Sequence, residues 1–253
     1  MKKLIFVIIV VLLISANLQS QTGWIVYNTS MNAFKNDVKF INANTGFIVG
    51  DTNFVYKSTD GGLNWASYTV PLSYPASIKV VSFLNENTGF AGGGHHWDEY
   101  HYSKYLFKTT NCGETWLRIF YDTLYAMNGA IVNIIPFNEN EIIVSSSGNI
   151  EVSAIGGIYK STNGGVNFNY KGLGGSCYSI CFLNSNTGYA SNGNTNDFQP
   201  PVTKLFKTTD GCTSWTLLHR DSAQGISSGF SKIQVFDENN VYALNSYYSV
   251  GIN

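Results

Sequence analysis

The chain has 253 residues, of which 12% are charged and 15% aromatic, with 25 glycines and a formal net charge of −1. That length suits one large domain, and near-neutral charge without a basic block excludes the electrostatic footprint of a nucleic-acid binder. Short runs of Val, Ile, Tyr, Phe and Thr punctuated by Gly, Asn, Asp and Ser read as strands and turns, with no helical periodicity after residue 20.

In chain order, Lys2 and Lys3 precede an apolar run from Leu4 to Ile14, followed by small and polar residues up to Gln21. This is the pattern of a signal peptide, too short for a comfortable membrane span. We assign residues 1–20 to it and 21–253 to the exported domain, secreted or at the cell surface, the periplasm included, with no membrane insertion once the signal is removed. No cysteine lies near the expected cleavage zone, so a lipid anchor is not indicated.

Thr22-Gly23-Trp24-Ile25-Val26-Tyr27 then reads as an isolated outer strand. Beyond it, one unit repeats. Its first phrase is Val38-Lys39-Phe40-Ile41-Asn42-Ala43-Asn44-Thr45-Gly46-Phe47, and it returns from Val81, from Ile180 and, altered, from Ile134 and Ile233. An alternating run, an Asn/Gly turn and an aromatic-led run predict a hairpin. Its second phrase is Lys57-Ser58-Thr59-Asp60-Gly61-Gly62-Leu63-Asn64-Trp65, and it returns around Asn111, Asn163 and Asp210, spaced 51, 52 and 47 residues apart. A period near 50 in a chain of short strands points to propeller blades.

The expected fold is therefore an all-β propeller of four-stranded antiparallel blades. In the first unit the strands fall near 37–42, 46–50, 54–58 and 65–70. Four blades are complete and a fifth has two strands. Residues 22–27 resemble the strand that closes such rings, yet the fifth blade still lacks a third strand. Either Tyr247–Asn253 supplies a degenerate one or the chain is part of a longer propeller, and open sheet edges favour the second.

The turns resemble the Asp box, or bacterial neuraminidase repeat, of pattern Ser/Thr-x-Asp-x-Gly-x-Thr-Trp. Asp60 and Asp210 match its acid, while Asn111 and Asn163 replace it with a residue that also forms an Asx-turn. Gly62, Gly113 and Gly165 fit its glycine, and Cys212 departs from it, which predicts a looser fourth turn. Trp65, Trp116, Phe168 and Trp215 supply the buried ring. A role repeated in every blade and satisfied locally is a folding staple rather than catalysis. Across about residues 22–246 the combined pattern is most similar to the photosystem II stability and assembly factor propellers and their secreted bacterial relatives. That resemblance implies a propeller that binds a partner; the low charge and scarcity of arginine set its docking surface apart from the photosynthetic one.

Two enzyme classes come into question. Sialidases with this repeat clamp a substrate carboxylate with three arginines, and this chain has only Arg118 and Arg220. A xyloglucanase-like glycoside hydrolase needs two carboxyl groups about 5–9.5 Å apart, for which Asp98, Glu99, Asp122, Glu151, Asp197 and Asp221 are loop candidates in no matched motif. The residues favour a non-catalytic binding or scaffold module for a protein or glycan partner, with that hydrolase as the alternative and no cofactor.

Partner contact is expected on the face opposite the Asp turns, where loops vary. Its most distinctive segment is Gly94-His95-His96-Trp97-Asp98-Glu99-Tyr100-His101-Tyr102, which holds three of the four histidines. His95, His96, Trp97, Asp98, Tyr100, His101 and Tyr102 are the contact candidates, joined by Tyr125 and Arg220, because aromatic side chains are enriched at interfaces. The His and carboxylate spacing there matches no metal motif, and no metal site is assigned. Cys177 and Cys181, roughly 13 Å apart along a strand, cannot bridge one another, so the four cysteines are expected mostly as packed thiols.

Overall fold

Asparagine and aspartate build the first bend of every repeat. Asn42 Oδ1 accepts the backbone N–H groups of Asn44 and Thr45 at 3.0 and 2.8 Å. Asn85, Asn138, Asn184 and Asp237 make the same pair of bonds in the four later repeats. Each is an Asx-turn that reverses the chain between two extended runs. The structure is a computed structural model, describing residues 29, 31–72, 77–96, 102–122, 129–148, 156–194, 202–222 and 226–249.

The first sheet is formed by β1 (Lys35–Phe40), β2 (Gly46–Gly50), β3 (Phe54–Ser58) and β4 (Ala66–Thr69), in that order. The second holds β5 (Ser77–Phe83), β6 (Gly89–His96), β7 (Tyr102–Thr109) and β8 (Leu117–Asp122). The third holds β9 (Ile131–Pro136), β10 (Ile142–Ser146), β11 (Gly157–Ser161) and β12 (Asn169–Gly172), and the fourth β13 (Ser176–Phe182), β14 (Gly188–Asn194), β15 (Val202–Thr208) and β16 (Thr216–Ser222). The fifth pairs β17 (Ile226–Val235) with β18 (Val241–Ser249). Every pairing is antiparallel between chain neighbours. These are the up-and-down blades of a β-propeller.

The core lies between sheets. Phe47, Val49 and Val55 of the first sheet pack with Ile78, Val81, Tyr105 and Phe107 of the second. Phe90 and Leu106 of the second meet Ile131, Ile134, Ile142 and Val144 of the third, and Ile143 and Ile158 of the third meet Cys177, Ile180 and Ala190 of the fourth. A sheet covered on both faces has no need to alternate apolar and polar residues; accordingly all five positions of β2 and of β10 are buried. The outermost strands β4 and β12 are largely exposed.

The innermost strands are laced to one another by side chains. Asp37 Oδ2 accepts the N–H of Val81 at 2.9 Å, Asn133 Nδ2 donates to the carbonyl of Tyr178 at 2.9 Å, and Ser179 Oγ accepts the N–H of Ile233 at 3.0 Å. Burial raises the Asp37 carboxyl above its usual range, against the pull of the Val81 and Val38 N–H groups and of Lys232 on β17.

The strand ends depart from expectation in one region. The segment from Gly94 to Tyr102 reads as loop, yet β6 continues through His96 and β7 begins at Tyr102, with His95 opposite Ser103 and His96 opposite Tyr102. Glycine-rich residues 92–94 carry no strand signal of their own; pairing along β7 extends them. Arg220 likewise falls within β16, opposite Lys204, rather than in a loop. Trp97, Asp98, Glu99, Tyr100, His101, Tyr125, Glu151 and Asp197 lie outside the described residues, as do the signal peptide and the strand expected at 22–27. Asp221 pairs in β16 with Thr203.

Candidate functional site

The two ends of the sheets differ in chemistry. At one end sit the hairpin bends and the Asp turns. Ser58 Oγ donates to Asp60 Oδ1 at 2.8 Å and accepts the N–H of Gly62 at 2.8 Å; Asp60 Oδ1 accepts the N–H of Asn64 at 2.9 Å. Asn111 Oδ1 and Asn163 Oδ1 accept from Thr115 and Asn167 at 3.0 and 2.9 Å, and Asp210 Oδ1 from Ser214 at 2.9 Å. An amide oxygen therefore serves as well as a carboxylate. The N–H of Asn64, its side-chain amide and the Ser58 hydroxyl hold Asp60 down at about 2; the hydroxyl and N–H of Ser214 do the same for Asp210. Each turn is also tied to its sheet's hairpin bend, through N–H donation from Gly61, Cys112, Gly164 and Gly211 to the carbonyls of Asn44, Asn87, Asn140 and Asn186.

The ring at the end of the motif closes it. Trp65 Nε1 donates to the carbonyl of Gly62 at 2.9 Å and Trp116 Nε1 to that of Gly113 at 3.0 Å. Phe168 has no such donor and packs edge-on against Phe120, centroids 5.1 Å apart. In the fourth turn Cys212 holds φ at 74°, its N–H reaches Thr208 Oγ1 at 3.1 Å, and the buried indole N–H of Trp215 has no acceptor. The turn persists there without the indole hydrogen bond, and the Trp215 ring still packs edge-on against Phe182, centroids 6.2 Å apart.

Sequence reasoning missed a second use of the motif, although its first residue is lysine in all four copies. Lys57 approaches Glu114 in the next sheet's turn at 3.7 Å. Lys160 donates to the carbonyl of Gly211 at 2.9 Å while paired with Glu141 at 2.7 Å, and Lys207 approaches Glu238 of the fifth sheet at 3.7 Å. These lysines bridge neighbouring sheets along the turn end.

The opposite end carries the loops. Here the pairing of β6 with β7 continues to His96 and Tyr102, two residues beyond the last pairs of β6 with β5 and of β7 with β8. Just below, Lys104 of β7 is buried. Its Nζ lies 3.2 Å from the hydroxyl of Tyr159 in the third sheet and 5.5 Å from the centre of that ring; the same hydroxyl is 3.3 Å from Asp122 Oδ2 at the end of β8. Burial lowers Lys104 to about 8 against the opposing field of Asp122, and raises the Tyr159 hydroxyl. This Lys–Tyr–Asp group locks the second sheet to the third. Asp122, one of the hydrolase candidates, is thus committed to Tyr159.

Arg220 is exposed on β16 and Arg118 lies over the ring of Tyr121 at 4.6 Å. They stand on different sheets. All four cysteines are unpaired, and burial pushes the thiols of Cys177 and Cys212 up to about 12. Among the described residues no three His, Cys, Asp or Glu side chains converge as a metal site, and no helix is long and apolar enough to cross a membrane.

Four-stranded sheets stacked about an axis, each with an Asx-capped outer turn, define an Asp-box β-propeller. The chain belongs to the family described as photosynthesis system II assembly factor YCF48, whose model matches residues 16–174. Among curated proteins it is similar to the photosystem II assembly lipoprotein Ycf48 of Synechococcus sp. (strain CC9902), 22% identical over 147 residues, 58% of this chain and 39% of that protein. The match thus spans about two fifths of that relative's length. Among solved structures it is similar to YCF48 from Cyanidioschyzon merolae, with TM-score 0.55, 16% identity, and 89% of this chain and 70% of that one covered. An ancestral GH74 enzyme gives TM-score 0.59 at 18% identity, covering 89% of this chain and 34% of that one. YCF48 bound to D1 peptide gives 0.48 at 15% identity, over 90% of this chain and 97% of that one.

Proposed function

We propose that this protein is an exported, non-catalytic propeller that holds a protein partner on its loop end, at the cell surface or in the periplasm. The observation that carries the reading is the commitment of the repeated acids and amides to their own turns. Asp60, Asn111, Asn163 and Asp210 all spend a side-chain oxygen on a backbone N–H four residues on, which leaves the turn end a staple and the loop end as the variable surface. Membership of an assembly-factor family supports a protein partner over a sugar. The contact residues in this reading are His95, His96, Trp97, Asp98, Tyr100, His101 and Tyr102, with Tyr125 and Arg220 beside them. Imidazole and aromatic side chains offer adaptable hydrogen bonds and large contact area at low entropic cost.

The test is site-directed photo-crosslinking in the source cell. A photoreactive residue in place of Trp97 is expected to give a discrete protein adduct, and one in place of Leu63, exposed at the turn end, none. Equal labelling from both positions, or turnover of a polysaccharide panel by the purified chain, would refute the reading.

A further inference from the structure

The third strand of each four-stranded sheet carries an apolar residue two places before the motif lysine: Val55, Leu106, Ile158 and Leu205. The first three are fully buried, each in the seam with the following sheet. The residue paired with this position on the outermost strand shares its face. In chain order it is Tyr68, Phe120, Lys171 and His219.

Three of these four are rings, and they close their seams from outside. The ring of Tyr68 lies under the Lys57 ammonium at 5.9 Å. Phe120 packs edge-on against Tyr159 and Phe168 of the third sheet, centroids 5.2 and 5.1 Å apart. His219 lies against Phe230 of the fifth sheet at 6.1 Å. Lys171 breaks the series. At its seam a cavity of about 250 Å³ opens between β12 and the Asp turn of the fourth sheet, lined by Ile158, Lys160, Lys171, Gly211, Cys212 and Thr213. Its floor is apolar: Ile158 and Cys212 are 0% and 7% exposed, and burial keeps the Cys212 thiol neutral. The Lys160 ammonium is fixed beside it by the carbonyl of Gly211 at 2.9 Å and by Glu141 at 2.7 Å. Lys171 is exposed at the rim and forms no hydrogen bond or ion pair with any described residue.

We propose that this cavity binds a small aromatic carboxylate, one ring on a short acidic arm. The ring takes the place that Tyr68 fills at the first seam, against Ile158 and beside the Lys160 ammonium, which attracts a π face. The carboxylate reaches Lys171, the one lining cation with no partner among the described residues, in a charge-assisted hydrogen bond. The volume suits one substituted ring and falls below that of a drug-sized site. This site stands beside an Asp turn, apart from the contact surface at the loop end.

Isothermal titration calorimetry of the exported chain with phenylacetate, and with the uncharged phenylacetamide, tests this. Phenylacetate should bind saturably at one site, and phenylacetamide about tenfold or more weakly. Lys171→Met should bring phenylacetate down to the affinity of the amide and leave the amide unchanged. Lys171→Tyr should abolish binding of both, because its ring fills the cavity as that of Tyr68 does, and should raise the melting temperature. Both substitutions fall at an exposed position, and circular dichroism confirms folding. Absence of saturable phenylacetate binding by the wild type would overturn the proposal. So would binding that survives Lys171→Tyr, or a wild type that holds the acid and the amide equally.

Discussion

Phe47 and Phe83 stack across the seam of the first two sheets, their rings 4.2 Å apart and 24° from parallel. The contact joins positions 36 residues apart, and at the third seam the corresponding residues Ile143 and Phe182 share one cluster. It couples the two sheets: Phe47 is fully buried and Phe83 half-buried only with both sheets in place.

Truncating this pair should be costly and coupled. Phe47→Ala should lower stability by about 3–5 kcal/mol, the range for a buried aromatic, and Phe83→Ala, at a half-buried site, by less. The double variant should lose less than the sum, as expected for residues in contact. Urea denaturation of the four proteins measures the coupling.

The Asp turns predict an acid-dependent loss of stability. Asp60 and Asp210 sit at about 2 in the folded chain against an ordinary 3.8. A depressed carboxyl contributes stability that is fully present above its unfolded value and disappears as pH falls through the folded one. Between pH 5 and pH 2, roughly, wild type should therefore lose more stability than Asp60→Asn/Asp210→Asn, in which the turns keep their oxygen acceptor and lose the charge. Asn111 and Asn163 already show that the amide fits. Melting temperature against pH checks it: parallel curves would mean the two carboxylates are not the titrating groups.

Backbone strain gives a gain. Cys112 holds φ at 56° where the other three turns have Gly61, Gly164 and Gly211. Glycine adopts this left-handed conformation without the Cβ conflict. Cys112→Gly should stabilise the chain by about 0.5–1 kcal/mol, net of the small packing loss at a half-buried site. Thermal denaturation reads the sign.

The hairpin bends and the Asp turns were legible in the sequence because their chemistry is local: Asn42 reaches Thr45, Asp60 reaches Asn64. The five sheets followed from the spacing of those turns. The seams were not legible. Lys104 meets Tyr159, 55 residues away, only because the second and third sheets present those faces to one another, and no pattern along one strand records that. The extension of β6 escaped notice for a related reason: Gly92, Gly93 and Gly94 carry no strand preference, and register with β7 supplies it. For Lys57, Lys160 and Lys207 the signal was present, a lysine at the head of every turn motif, and its meaning lay in the neighbouring sheet.

Lys104 gives a further prediction. Lys104→Ala should lower stability by about 2–4 kcal/mol by opening a cavity at the second seam. Lys104→Met, which keeps most of the stem and removes the buried charge, should cost much less, as exchange of buried ionic groups for apolar ones often does. Equal losses would mean that the ammonium, not the stem, holds the seam.

Melting temperature and partner crosslinking, measured side by side on two double variants, test the central claim most directly. Asp60→Ala/Asp210→Ala should melt lower and, where still folded, crosslink to the partner as wild type does. His95→Ala/Tyr100→Ala, with the photoreactive residue kept at position 97, should melt as wild type and lose the adduct. The reverse outcome, with the turn substitutions abolishing the adduct at unchanged melting temperature, would contradict the account.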